Sequence, residues 1–177
     1  MCIRDSTDIL YDNLVNKFRY THFNDPDVYQ DETCRRMMQN LKNNFYRLVN
    51  TLLDEGDSAK ALAAMNKLEE FMPLDVVGYT FWDVDAGDIW FRLGNPEKGR
   101  ETVKTAFESV KDNLDYYLSL PTNLINSVSA DIQNALGYEM RKLMQIAEDH
   151  KENALLKEIE GKFNEYYSRY VNKTGGK

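Results

Sequence analysis

Apolar residues recur every three or four positions along nearly the whole of this 177-residue chain. That spacing places them on one face of an α-helix, whereas a half-buried strand would need an apolar residue at every second position. The clearest example is the stripe Cys34, Met38, Leu41, Phe45, Leu48 and Leu52. Because only 4 Pro and 9 Gly interrupt the pattern, it predicts an all-α fold of about seven helices.

Cap and breaker residues set the bounds of these helices. Asp31 and Asp57 precede apolar stripes as N-cap residues, and Pro73 and Pro121 follow stripes that they cannot continue. The predicted helices span 8–19, 31–54, 57–72, 80–93, 96–120, 124–149 and 152–171.

The domain organisation follows from these bounds. Residues 1–7 look unlike the rest of the chain, and we interpret them as an artefactual leader. Residues 8–30 form an N-terminal helix and loop, and 31–171 form one helical domain. The tail, 172–177, is expected to fray.

Two of the predicted hairpins share the register of the tetratricopeptide repeat. That repeat is about 34 residues long and consists of two antiparallel helices, which carry small residues where they cross. In the first hairpin Gly56 is the turn, Ala61 the small residue and Pro73 the closing residue. The second hairpin has matching positions at Gly87, Trp90, Gly94 and Gly99. A third hairpin lacks the small residues, as capping hairpins commonly do. The pattern predicts a tetratricopeptide-like array of antiparallel helix hairpins.

The charge of the chain excludes several partners. The formal net charge is −7, which disfavours nucleic acids and anionic lipid surfaces. Since a membrane span needs about 18 consecutive apolar residues and no run approaches that length, we expect no direct membrane insertion of these residues.

One motif resembles a metal site. Asp83-Val84-Asp85 has the Asp-x-Asp spacing with which many sugar transferases hold a divalent ion. Residues i and i+2 of a helix diverge by about 200°, so the two carboxylates are poorly placed to share an ion. We interpret them as first-turn acids of a helix and expect that replacing both with Asn changes stability only slightly.

The remaining candidates also have simpler interpretations. His22 and His150 are expected to be solvated loop residues, and Cys34 a small buried apolar residue. The pairs Tyr116-Tyr117 and Tyr166-Tyr167 have two interpretations. The tyrosines could line a groove that binds peptide or glycan, but the favoured interpretation is that one member of each pair is in the core and the other flanks it.

A carboxylate clamp of the kind some tetratricopeptide modules carry is also disfavoured. Asn50 matches one clamp position, but Tyr46 and Asp88 replace the basic residue and the amide that the clamp needs. The sequence therefore predicts no catalytic residue, no metal site and no cofactor.

Several segments resemble a known family. They include Leu10-Tyr11-Asp12-Asn13-Leu14-Val15-Asn16-Lys17-Phe18, then Asp25-Pro26-Asp27-Val28-Tyr29-Gln30-Asp31-Glu32, and the pairs Glu55-Gly56 and Met72-Pro73. Together these are similar to the C-terminal region of a bacterial family of large membrane proteins that carry a domain of unknown function and are related to protein O-mannosyltransferases. The resemblance covers most of the chain from about Ile9 to Pro121. In that family a multi-span membrane domain with the catalytic acids precedes a tetratricopeptide-like tail.

The resemblance implies a non-catalytic interaction or scaffold module, on the extracytoplasmic (periplasmic) face of a bacterial membrane within a larger chain. Its expected partners are a protein or glycoprotein, or the membrane domain of its own chain. The residues leave open a free-standing cytoplasmic tetratricopeptide adaptor, and a small enzyme ranks last.

Overall fold

The computed structural model describes residues 3–175, except for the side chains of residues 3–5 and 75. The structure is 82% helical, and the described residues contain no strand, which confirms the predicted all-α fold. The chain forms two compact units, residues 1–95 and 96–177. The predicted domain 31–171 thus includes parts of both units.

The first unit contains five α-helices. They are α1 (Ile3–Tyr11), α2 (Glu32–Asp54), α3 (Ser58–Phe71), the short α4 (Leu74–Val77) and α5 (Ala86–Arg92). A π-helical turn, Asp12–Lys17, extends α1, and a 3-10 turn, Phe81–Asp85, leads into α5. Because α1 begins at Ile3, the described part of the predicted leader is helical, and the buried Thr7 hydroxyl donates a hydrogen bond to Glu55 (3.1 Å).

The predicted first hairpin is present, since α2 packs along α3. Asp31 and Asp57 cap the two helices, accepting hydrogen bonds from the backbone N–H groups of Cys34 (2.7 Å) and Lys60 (3.1 Å). The buried face of α2 is wider than the predicted stripe. Of the six residues in the predicted stripe, four are buried, Leu41 is half-buried, and Cys34 is exposed. The prediction that Cys34 is buried was wrong, because it lies in the first turn of α2, which is solvated.

The second unit contains the remaining α-helices. They are α6 (Pro96–Ser119), α7 (Thr122–Ile125), α8 (Ser129–Asn134), α9 (Arg141–Asp149) and α10 (Asn153–Thr174). A 3-10 turn, Asn126–Val128, and a π-helical turn, Ala135–Met140, link α7, α8 and α9. The last helix ends at Thr174, beyond the predicted end at 171.

Ion pairs tie α10 to α6 within the second unit. Asp115 accepts hydrogen bonds from Tyr166 (3.0 Å) and Arg169 (2.8 Å). Near the start of α10, the Arg100 guanidinium donates to both carboxylate oxygens of Glu152 (2.8 and 2.6 Å). Such two-point pairs fix orientation as well as distance, so they align the two helices.

The seven repeat-signature residues lie as follows. Ala61, Gly87, Trp90 and Gly99 are buried in helices α3, α5, α5 and α6, whereas Gly56 and Gly94 are exposed turn residues and Pro73 precedes α4. The helices of the predicted second hairpin, α5 and α6, belong to different compact units. The stacking of hairpins into an array stays a prediction.

Three helix ends share one backbone motif. Gly56, Gly94 and Lys151 all have positive φ (81°, 80° and 60°). In each case the following N–H bonds to the carbonyl five residues back (2.8, 3.0 and 2.8 Å), which is the Schellman arrangement. The third turn therefore forms without glycine, and its Lys151 bears the strain of a left-handed backbone that glycine would avoid.

This motif yields opposite expectations for two exposed glycines. Gly56→Ala should destabilise the protein by about 1 kcal/mol, because alanine disfavours positive φ. Gly161→Ala should stabilise it by about 0.5–1 kcal/mol, because Gly161 lies inside α10 with open space around its Cα. Denaturant unfolding of both variants checks the pair. Stabilisation by Gly56→Ala would contradict the turn assignment.

Candidate functional site

The buried carboxylate of Asp83 forms hydrogen bonds with most of the buried polar side chains of the first unit. Its two oxygens accept hydrogen bonds from the Lys42 ammonium (3.1 and 3.0 Å), the Tyr46 hydroxyl (2.6 Å), and the Thr80 amide and hydroxyl (2.6 and 2.7 Å). Lys42 also donates to the Gly78 carbonyl (3.1 Å). We call Lys42, Tyr46, Thr80 and Asp83 the Asp83 cluster. The Lys42 and Asp83 side chains are each 1% exposed.

The local sequence explains how this cluster assembles. Thr80 and Asp83 form a capping box, in which each side chain bonds to the backbone N–H of the other, at the start of the 3-10 turn. Lys42 and Tyr46 are one helical turn apart on α2, so they project from the same face. The cluster therefore fastens the loop and short helical turns before α5 to the middle of α2.

Burial sets the protonation behaviour of the cluster. Desolvation lowers the pKa of Lys42, and the neighbouring Asp83 carboxylate opposes that shift. Desolvation also raises the pKa of Tyr46 well above its usual value, and the Asp83 charge adds to the shift. Both shifts follow from enclosure, and the tyrosine stays a hydrogen-bond donor to the carboxylate.

The polar groups of the cluster are hydrogen-bonded to one another and to the backbone within the core. Among the described residues, no buried side-chain nitrogen or oxygen lacks a hydrogen-bond partner. Removing one member of a buried ion pair leaves an uncompensated charge and typically costs about 3–5 kcal/mol. Asp83 is therefore a structural residue, and the expectation that replacing Asp83 and Asp85 changes stability only slightly is revised for Asp83.

The structure also places the other predicted candidates. His22 is exposed with positive φ (59°) and lies 3.4 Å from the Asp25 carboxylate, whereas His150 is the half-buried C-cap of α9. Tyr166 is buried beside an exposed Tyr167. Among the side chains that the structure describes, no group of three or more His, Cys, Asp or Glu is arranged to hold a metal ion.

The positions of the carboxylate clamp serve structural roles. The Asn50 amide oxygen accepts a hydrogen bond from Arg92 (2.7 Å), which also pairs with Asp54 (2.7 Å) and so joins α5 to α2. Tyr46 is buried in the Asp83 cluster. Asp88 also lies 4.0 Å from the Arg92 guanidinium, so all three residues at clamp positions are engaged within the first unit.

Sequence reasoning did not predict that Lys42 and Tyr46 bond to Asp83 in the core. A lysine on an amphipathic helix is usually solvated, so it did not indicate a core position. One signal was available, because Thr80 and Asp83 are three residues apart, the spacing of a capping box at the start of a helix. The partners of that box on α2 lie 41 and 37 residues away, beyond the reach of local patterns.

A second feature is an open apolar groove on the first unit, with a volume of about 570 Å³. We call it the Phe18 groove. It is lined by Lys17, Phe18, Arg19, Tyr20, Phe23, Met37, Asn40, Leu41 and Asn44. Phe18 and Met37 are 49% and 58% exposed. The groove was not predicted from the sequence, because it joins the end of the π-helical turn to the first half of α2.

Comparisons with known proteins identify no relative. No family model matches the chain, and no curated protein or solved structure matches it either. The family resemblance of the N-terminal two thirds therefore stays a proposal. None of the helices within the described residues has the length and apolar character that crossing a membrane requires.

The buried tyrosines predict how stability depends on pH. Burial raises the pKa of Tyr20 to about 12, and it also raises the pKa values of Tyr46 and Tyr166. The unfolded chain loses these protons near pH 10, while the folded protein keeps them. The contribution of these tyrosines to stability is therefore fully present below about pH 10. It falls as pH rises towards the folded pKa values, by up to about 1.4 kcal/mol per pH unit for each tyrosine. The lowered pKa of Lys42 acts in the opposite direction.

Denaturant unfolding at about pH 9 and about pH 11 measures this loss. Tyr20→Phe should flatten the decline, since it removes one of these protons. Tyr167→Phe is the matched control, because it makes the same change at an exposed tyrosine. A decline that Tyr20→Phe leaves unchanged would contradict the assignment of the tyrosine protons.

Proposed function

We propose that this chain is a non-catalytic helical interaction module, the extracytoplasmic tail of a bacterial membrane glycosyltransferase related to protein O-mannosyltransferases. The resemblance over Ile9 to Pro121 motivates the parent protein. The helical hairpin of α2 and α3 supports the module, because such hairpins present rigid side-chain surfaces to partners.

The Phe18 groove is the observation that carries this proposal. Large apolar side chains that share an open groove are commonly binding surfaces, because leaving them in water has no folding benefit. Phe18 and Met37 are such side chains. By contrast, the acid that most resembled a catalytic residue, Asp83, is enclosed and fully bonded. The polar groups of the first unit thus hold the fold, and its exposed apolar surface is available to a partner.

The proposed partner is a protein or glycoprotein, or the membrane domain of the same chain. A free-standing cytoplasmic adaptor would present the same helical surface. The genomic sequence upstream of Ile9 separates the two: several membrane spans in the same reading frame support the tail, and an upstream stop codon or an unrelated domain contradicts it.

The proposal also predicts that the chain alone transfers no sugar. Purified protein is incubated with acceptor peptides and with nucleotide-linked or lipid-linked donors, with and without divalent metal. The expected result is no product under any condition. Asp85→Asn is the informative variant, because it alters the Asp-x-Asp motif and leaves the Asp83 cluster intact. Product that disappears in Asp85→Asn would overturn the non-catalytic assignment.

A further inference from the structure

The Phe18 groove has an apolar floor and an apolar rim. Tyr20, Phe23 and Leu41 form the enclosed part: Tyr20 is 4% exposed, and the other two are half-buried against the core. Phe18 and Met37 form the rim and extend into solvent. An apolar side chain of a partner that binds in the groove would therefore remove from water both its own surface and the surface of the groove.

The backbone at the rim explains why Phe18 faces solvent. The Phe18 N–H bonds to the Asn13 carbonyl (2.9 Å), the five-residue spacing of the π-helical turn Asp12–Lys17, and the backbone of Phe18 itself is extended. Single π-helical turns are rare and frequently lie at functional sites. Here the turn ends α1 and places the phenylalanine ring beside the groove instead of in the core.

The charge and hydrogen-bonding groups of the groove indicate the chemistry of its occupant. Its lining includes Lys17 and Arg19 and no carboxylate, although the chain as a whole carries a net charge of −7. Lys17 is already paired with Asp12 (2.6 Å), so Arg19 is the main source of positive charge. A guanidinium favours carboxylates, which it can bind at two points.

Two amide side chains complete the groove. Asn40 and Asn44 are one turn apart on α2, so they lie on the same face. Each side-chain amide both donates and accepts, as a peptide backbone requires. A second copy of this chain is disfavoured as occupant, since two molecules with a net charge of −7 repel each other.

We propose that the Phe18 groove docks a linear peptide segment of a partner protein, with an apolar side chain against Phe18 and Met37 and a flanking carboxylate paired with Arg19. This inference rests on the proposed function and adds the surface and the class of ligand. Aromatic or aliphatic anchors in such grooves usually dominate binding energy, and the flanking charges set specificity and association rate.

Selection from a phage-displayed library of random peptides tests the proposal with the whole chain as the target. Enriched peptides should carry an aromatic or leucine anchor flanked by Asp or Glu. Fluorescence anisotropy of a synthesised enriched peptide should then show binding that weakens as salt rises. Replacing its acidic residues with Asn and Gln, or its anchor with Ala, should weaken binding by about tenfold or more.

Variants of the protein assign the surface. Met37→Glu and Arg19→Glu should each weaken binding of the acidic peptide by about tenfold or more, because they place a carboxylate in the groove. Leu62→Glu is the matched control: it introduces the same charge at an apolar residue of α3 that is 41% exposed, outside the groove lining. All three variants should fold, since each substitution is on an exposed residue, and thermal melts check this.

Three results would overturn the docking proposal: no enriched peptide, enriched peptides without acidic residues, or binding that Met37→Glu and Arg19→Glu leave unchanged. A dimer in sedimentation that Met37→Glu dissociates would also overturn it, because the occupant would then be a second copy. None of these results requires sugar transfer, so they leave the non-catalytic assignment intact. Transfer activity, in turn, would overturn that assignment whatever the peptides show.

Discussion

The ion pair between Lys42 and Asp83 holds together the part of the first unit that helix formation alone cannot order. Between α3 and α5 the chain has only the four-residue α4, a loop and a 3-10 turn, each too short to be stable alone. Asp83 connects this stretch to α2 through Lys42 and Tyr46, and to its own start through Thr80. The position of α5 follows from that connection.

The pair is better understood as a source of specificity than of stability. Desolvating two charges offsets most of their attraction, so apolar residues of equal volume would often serve stability as well. Five hydrogen bonds onto one carboxylate, however, admit a single arrangement of the loop. We expect an apolar replacement to let α2 and the 3-10 turn shift against each other, whereas the Asp83 cluster fixes their register. This reasoning also explains the Asp-x-Asp motif, in which one acid is structural.

The sequence predicted the elements well and the contacts between distant elements poorly. Helix bounds at Asp31, Asp57 and Pro73 followed from capping and from the missing N–H of proline, which are local effects. Lys42 could not be placed, because its burial depends on a carboxylate 41 residues away.

Local backbone features were missed for a different reason. The two π-helical turns differ from α-helix only in the hydrogen-bond partner of each N–H, and no residue type marks them. Lys151 occupies a left-handed position where the other two turns have glycine, so the rule that identified Gly56 and Gly94 failed there. The Phe18 groove depends on one of these π-helical turns and was equally invisible in the pattern.

A double-mutant cycle between Lys42 and Asp83 tests most directly whether this pair organises the first unit. Lys42→Met, Asp83→Asn and the combined variant are unfolded in denaturant, with Asp85→Asn as the matched control. Each single variant should lose about 3–5 kcal/mol, because the remaining partner is buried with an unmet charge or hydrogen bond. The combined variant should lose about 2–3 kcal/mol less than the sum of the two. Additive losses, or an effect of Asp83→Asn no larger than that of Asp85→Asn, would contradict the account.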